Sequence, residues 1–400
     1  MIAQINEFFS RFDFDVRKSK DARFMDQKVT PDVLCIMADC VLNYTADHDI
    51  EFTKDDIWND SYFNENVKAI FNKPAANNIT TRQEYDKFTS QPLRTLAYAR
   101  VLSMRKDKNK NYYRINNKII LEFISMKERN AYIFLYHYIA KVLMDSGQLR
   151  FFENFKDKCQ NRTVTKADFS ELKERFQRFI IGNTAINGIV EVNRIFPKIL
   201  NIYACENTIQ GTIKGRLSAN QFYYTDLMYN RPNWRDVGKS KNISRNEAVE
   251  EHETLMMEQN EAYSDYQVQK AVNMIRKMYI GTEVKDQWAN GEATQIHHIF
   301  PKAEFPQLAH YLENLIKLTP TQHFTKAHPN NRTDAINRDY QLVCLLAKTD
   351  SIENSLRKGE FIYRKESFVY VINTGLFEDI GIDISFKQIK KELVRIYNVA

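Results

Sequence analysis

The chain has little from which to build a disulfide or zinc framework. Its five cysteines, at 35, 40, 159, 205 and 344, form no Cys-x-x-Cys pair. That argues against a zinc knuckle and a secreted disulfide scaffold, and makes a reducing cytoplasm the expected location. Long hydrophobic runs are missing too. No apolar stretch approaches the ~20 residues needed to span a bilayer, so no membrane partner is expected. The opening MIAQINEFFSRFDFDVRKSK lacks the uninterrupted apolar run of a signal peptide. No internal repeat or low-complexity tract is visible. A net charge of +6 is modest for 400 residues and by itself does not imply a polyanionic partner. What remains, 43% hydrophobic and 27% charged, describes a soluble, globular chain long enough for two or three domains.

The distribution of charge says more than its sum. Residues 105–118 (RKDKNKNYYRINNK) carry six Lys/Arg against one Asp, and residues 214–245 carry seven against two. Two basic segments with aromatics, far apart in sequence, suggest two surfaces that face a polyanion; the plainer reading of each is a solvated loop.

Pro31 to Tyr44 is apolar at helical spacing, with Pro31 in the first turn. Thr53 is placed to cap a short helix, and Asn64–Phe71 and Pro92–Arg100 read as further helices. Then Val101–Met104 and Tyr112–Ile115 form two β-prone arms around a basic tip. Helices followed by such a hairpin look like a winged helix, with Lys106, Lys108, Lys110 and Arg114 on the wing. Ile119–Ser125 and Tyr132–Met144 carry apolar stripes that read as core. Asp168, with Glu171 three residues on, reads as the capped start of a helix ending near Gly182. Residues 211–245 read as a long irregular segment, too polar for a core. There Tyr223, Tyr224, Tyr229 and Trp234, among Arg216, Arg231, Arg235 and Lys239, suit stacking on bases and contact with phosphates. The alternative is that these aromatics anchor the loop to the body. Beyond a helix in YQVQKAVNMIRKMYI, residues 367–374 read as a strand and Phe386–Tyr397 as a terminal helix.

Gln295 to Pro329 carries the chemistry: QIHHIFPKAEFPQLAHYLENLIKLTPTQHFTKAHP. It holds the tandem pair His297-His298, then Asn314, then His323 with Lys326. Gln295–Phe300 and Leu315–Leu318 have strand character. Thr319-Pro320-Thr321-Gln322 is a capping-box sequence with Pro at the first helical position, which predicts a helix starting just before His323. Adjacent strand residues face opposite ways, so aiming both His297 and His298 at one phosphate needs a bend or a strand end. Phosphodiester hydrolysis needs a water deprotonated and a developing charge stabilised. One imidazole base and one Lewis-acidic metal meet both needs.

The segment resembles the HNH nucleases, whose ββα-metal site is two short strands and a helix around a divalent ion. The likeness covers about 35 residues directly, and the wider chain looks like the HNH-type type II restriction endonucleases. The resemblance implies His297 and His323 as metal ligands, His298 as general base and Asn314 as the residue that orients it. Many members carry Asp at the first position, so His297 matches the variants that use His. Some members add a ligand four residues after the second. His328 lies five after His323, off its helix face in an α-helix, and is a secondary candidate, as Lys326 is for phosphate. The acid-x-Lys site of other restriction nucleases is not matched in order: Asp26-Gln27-Lys28 precedes Pro31-Asp32, and Glu283-Val284-Lys285 has no strand upstream.

The expected fold is therefore α+β and multidomain. Residues 1–148 form a winged-helix-like recognition domain, 149–285 a helical and linker region with the basic aromatic loop, 286–346 the HNH module, and 347–400 a packing extension. The expected function is sequence-specific cleavage of double-stranded DNA to 5′-phosphate and 3′-hydroxyl ends. Mg²⁺ is the expected metal, with Mn²⁺ or another divalent ion possible. A homodimer on DNA and a companion DNA methyltransferase are the expected partners. The alternatives are a modification-dependent or non-specific defence nuclease on the same module, or a DNA-binding regulator with an inactive HNH relic.

Overall fold

Between Pro31 and Thr45 the apolar residues crowd round the whole helix instead of one stripe, and such a helix must be enclosed. In the computed structural model, which describes residues 2–45, 49–71, 82–229, 263–328, 336–360 and 362–399, it is: Val33, Leu34, Ile36, Met37 and Val41 are all buried. The chain is α+β and mostly helical, and its contacts divide it into two compact units, Ile2–Glu253 and Thr254–Ala400. Of the segments expected from sequence, 1–148 lies in the first unit, 286–346 and 347–400 lie in the second, and 149–285 is divided between them. Among the described residues no helix is long and apolar enough to cross a membrane.

The helices of the first unit are α1 (Ile2–Ser10), α2 (Val16–Ser19), α3 (Pro31–Thr45), α4 (Lys54–Asn59), α5 (Ser61–Phe71), α6 (Arg82–Tyr98), α7 (Lys118–Met126), α8 (Glu128–Asp145), α9 (Leu149–Gln160), α10 (Lys166–Asn183) and α11 (Ile189–Glu206). The buried helix α3 packs against α6, α7 and α8. Thr53 caps α4 in a reciprocal box with Asp56, as its position predicts. The cap of α10 is Thr165, not Asp168. Asp168 sits at the third helical position, and its carboxylate accepts from the Thr165 amide at 2.8 Å. Both residues have capping chemistry; starting at Thr165 gives the helix one more turn ahead of its buried stripe Phe169, Leu172, Phe176 and Ile180.

Strands β1 (Phe52–Thr53), β2 (Leu102–Asp107) and β3 (Lys110–Ile115) form an antiparallel sheet in the order β1-β3-β2. The basic hairpin is present, with Asp107 opposite Lys110 and a two-residue tip at Lys108-Asn109. Lys108 takes the left-handed conformation such a tip requires, at φ 52°. Glu51 binds the Arg105 guanidinium at 2.6 and 2.8 Å, and Asp49 lies 3.4 Å from Arg114. Lys106, Lys108 and Lys110 are exposed, with no ion pair among the described residues.

Residues 211–229 are more ordered than the polarity of the segment suggests. Strands β4 (Gln210–Ile213) and β5 (Arg216–Gln221) form a second hairpin. Its tip, Lys214-Gly215, has φ 52° and 75°, a pair of left-handed residues that the glycine makes affordable. The local turn chemistry overrides composition. Tyr224 packs on Tyr132 at 5.5 Å, and Tyr229 packs on Phe71 and Phe88 at 5.7 and 5.6 Å. These two are anchors; Tyr223 stays 54% exposed. Arg231, Trp234, Arg235 and Lys239 lie outside the described residues.

In the second unit a helix over 263–278 (α12) leads through a strap, residues 279–294, into β6 (Gln295–His298). Strand β7 (Leu315–Leu318) pairs antiparallel with β6, and a π-helical turn follows at Gln322–Ala327. Helices α13 (Arg338–Arg357), α14 (Lys365–Leu376) and α15 (Phe386–Val399) complete the unit. They share one core with the hairpin, including Ile299, Phe300, Leu315, Leu345, Ile372 and Leu393. Helix α14 corrects the expectation of a strand over 367–374. Its β-branched and aromatic residues favour a strand locally, but Phe368, Val369, Val371 and Ile372 are buried and Tyr370 is 45% exposed, a pattern that a helix against this core satisfies. Glu283, one of the acid-x-Lys residues, forms a fully buried ion pair with Lys348 at 2.7 Å. Its other oxygen accepts from the Lys317 amide at 2.9 Å, so Glu283 ties the strap to β7 and α13.

Gly375 on α14 lets the Phe300 ring seat against the helix. A Cβ there would lie 2.4 Å from the ring carbons. Gly375→Ala should therefore destabilise the protein by about 1–3 kcal/mol through overpacking. Urea unfolding measures this; a loss below ~0.5 kcal/mol, the scale of a neutral surface change, would mean that the ring swings aside freely.

Candidate metal centre

The antiparallel register sets His297 opposite Ile316 and His298 opposite Leu315, at the last pairs of β6 and β7. Alternation along the strand sends the two imidazoles to opposite faces. His297 is 3% exposed. Its ring centre lies 5.3 Å from that of His323 and 4.9 Å from that of His328. His298, at the strand end, turns the other way, and its Nε2 lies 3.0 Å from the Ala309 carbonyl. A carbonyl only accepts, so Nε2 carries the proton and Nδ1 keeps its lone pair.

Asn314 builds that arrangement. Fully buried, it accepts from the Phe300 amide at 2.8 Å and donates to the carbonyls of Phe300 at 3.0 Å and Leu308 at 3.2 Å. The Ile299 amide in turn donates to the Asn314 carbonyl at 2.8 Å. One side chain thus fastens both ends of the loop between the strands, including the turn that presents the Ala309 carbonyl to His298. Both of its N–H donors and its oxygen are engaged in holding this loop.

The turn after β7 begins with the predicted box. The Thr319 amide donates to Gln322 Oε1 at 3.0 Å, and the Gln322 amide donates to Thr319 Oγ1 at 3.2 Å. Gln322 Nε2 also donates to the Val284 carbonyl at 2.8 Å and to Asp286 at 2.9 Å, so the strap clamps the start of the turn. The helix then widens. The His328 amide donates to the His323 carbonyl five residues back, at 3.0 Å. In an α-helix five residues turn by about 500°, leaving the two side chains ~140° apart. A π turn stacks them instead, and such turns often mark functional positions. His323 and His328 consequently face each other with ring centres 4.8 Å apart.

His328 is therefore part of the cluster and not a peripheral residue. Its His-x₄-His spacing puts it off the face of an α-helix, and the π turn at Gln322–Ala327 brings it back. Lys326 is not brought to the cluster's side by any contact; its amine lies 3.8 Å from the Trp288 ring centre, stacked on the strap. Nothing in side-chain patterning could have found the Ala309 carbonyl, which is a backbone group on a loop.

One nitrogen from each of His297, His323 and His328 lies within 4.8 Å of the others. Ligands bound to one ion at ~2.1 Å lie at most about 4.2 Å apart, so a small closing movement suffices. The electrostatics suit cation binding. Burial holds His297 well below the usual imidazole range, and the neighbouring His328, His323 and His298 add to that. Burial, then His328, pushes His323 down to about 4. Burial lowers His298 too, with the Ala309 bond opposing and Lys302 assisting. All three stay neutral at neutral pH, with lone pairs available. His323 Nδ1 is buried with no hydrogen-bond partner, an orphaned acceptor of the kind that a ligand explains. The donor set fits a metal ion.

No family model, no curated protein and no solved structure matches this chain.

Proposed function

We propose that the chain is a metal-dependent DNA endonuclease of the HNH type, most like a type II restriction endonuclease. One observation carries the reading: His298, an imidazole with a fixed tautomer, stands at the end of a strand whose preceding residue, His297, belongs to a cluster of three imidazoles. In this proposal β6, β7 and the following turn are the ββα frame. His297, His323 and His328 hold the ion. Three nitrogen donors without a carboxylate favour Mn²⁺, Ni²⁺ or Zn²⁺, with Mg²⁺ the weaker fit. When bound, the ion supplies Lewis acidity to the phosphoryl group and the departing 3′-oxygen.

The protein's own part is positioning and proton transfer. His298 Nδ1 takes the proton of the attacking water, and the Ala309 carbonyl steadies the imidazolium that forms, because the Nε2–H bond to it strengthens as the ring gains charge. Asn314 keeps that carbonyl in place. Lys326 reaches a phosphate by leaving the Trp288 face. The proposed products carry 5′-phosphate and 3′-hydroxyl ends.

Lys106, Lys108 and Lys110 on the first hairpin are the proposed wing contacts. Arg114, paired with Asp49, and Arg216 on the second hairpin complete the proposed DNA set. A single such site cuts one strand, so a double-strand break calls for two copies, which a palindromic target would hold as a two-fold dimer. A DNA methyltransferase protecting the host sites is the companion this reading implies. The test is cleavage of unmodified plasmid and bacterial DNA. Chelation should stop it, and Mn²⁺ should restore it at lower concentration than Mg²⁺. Cutting that survives exhaustive chelation at full rate would end the proposal.

A further inference from the structure

The first unit carries an open cavity of about 610 Å³ far in sequence from the histidines. Four cations line it: Lys173 from α10, Arg194 from α11, and Lys214 and Arg216 from the β4–β5 hairpin. No carboxylate is among its lining residues. None of the four cations has an ion pair among the described residues, although acids are plentiful on the same elements. On these helices Glu171 pairs instead with Arg175 at 3.0 Å, and Glu191 with Arg23 at 3.1 Å. The tight tip of the hairpin brings the basic residues together. Its left-handed Lys214 and Gly215 fold β5 back over α10, and a Cβ on Gly215 would lie 3.8 Å from Lys173 Nζ.

Four unpaired like charges around one concavity repel each other, and a polyanion relieves that repulsion. The cavity offers little to a free nucleotide. Its aromatic residue, Phe196, is 1% exposed and belongs to the core, so no face is open for a base to stack on. The arrangement suits evenly spaced phosphates and carries no means of reading bases.

We propose that this basin binds the sugar–phosphate backbone of nucleic acid, the substrate class of the proposed nuclease. The identity of the polyanion rests on the nuclease reading; the basin's anion chemistry does not. The test uses full-length, metal-loaded protein carrying His298→Ala, and a fluorescent duplex followed by anisotropy across a salt series. In that background Lys173→Gln, Arg194→Gln, Lys214→Gln and Arg216→Gln together should lower the slope of log affinity against log salt by about 2 to 4, since each phosphate contact contributes roughly 0.9. Affinity at 0.1 M salt should fall at least ~10-fold. A control set of exposed lysines, Lys20→Gln, Lys68→Gln, Lys87→Gln and Lys166→Gln, should change the slope by less than about 1.

An unchanged slope in the basin variant, or equal changes in both sets, would overturn the proposal. So would micromolar binding of ATP that the basin variant abolishes while duplex binding persists. A basin variant that binds duplex normally, made in a protein whose wild type cuts DNA with metal, removes the basin and leaves the nuclease. Basin-dependent duplex binding by a protein that never cuts removes the nuclease and leaves the basin. No duplex affinity in the parent removes both.

Discussion

Alanine at position 298 should leave a protein that folds, binds metal and binds DNA, yet cuts at least ~100-fold more slowly than wild type, the usual scale of general acid–base catalysis. The separation of effects follows from geometry. His298 faces away from the His297, His323 and His328 cluster, and its hydrogen bond runs to the Ala309 carbonyl at 3.0 Å. Removing the ring deletes a base without deleting a ligand. It also leaves one carbonyl without its donor on a loop that Asn314 already secures with bonds of 2.8, 3.0 and 3.2 Å. The measurement pairs single-turnover cleavage with metal titration and duplex anisotropy on the same preparations. Wild-type cutting by the variant would remove His298 from the mechanism. A loss of metal affinity equal to the loss of cutting would assign it to the cluster instead.

The site was legible in the sequence where local rules govern it. The capping box Thr319–Gln322 joins residues three places apart, and each strand shows its own local character, while Asn314, bonded to Phe300 14 residues away, stands out only through the family resemblance; the structure has the box and the strand pair and bonds Asn314 into the loop. The reading failed where a neighbour in space decides. Residues 367–374 have strand propensity, but burial against Phe300 and its surroundings makes them helical. The β4–β5 hairpin was hidden by its polarity, because a two-residue turn with left-handed residues outweighs the lack of apolar alternation. Sequence alone starts α10 three residues late, since both Thr165 and Asp168 can cap and only the packed stripe chooses between them. The burial of Lys348 against Glu283 has no local signature at all, as the partners are 65 residues apart.

His328→Ala should raise the metal concentration needed for half-saturation by at least ~100-fold, as His297→Ala and His323→Ala should. Loss of an outer partner of a metal ligand already costs about 10–100-fold, and a direct ligand costs no less. The π turn makes this a sharp test. With α-helical geometry His328 would point away from His323, and its replacement would leave metal affinity alone. With the observed bond from the His328 amide to the His323 carbonyl at 3.0 Å, both rings meet His297. Competition against a chromophoric chelator reads affinity directly, independent of cutting. The metal-free melting temperatures of the three variants guard against a folding defect, because an imidazole replaced by alanine removes packing as well as a ligand. Saturating metal should restore part of the cleavage in each variant while leaving His298→Ala slow. Unchanged affinity in His328→Ala, beside a loss in His297→Ala and His323→Ala, would reduce the centre to two imidazoles. It would also return Mg²⁺, which tolerates few protein ligands and keeps its waters, to first place among the candidate ions.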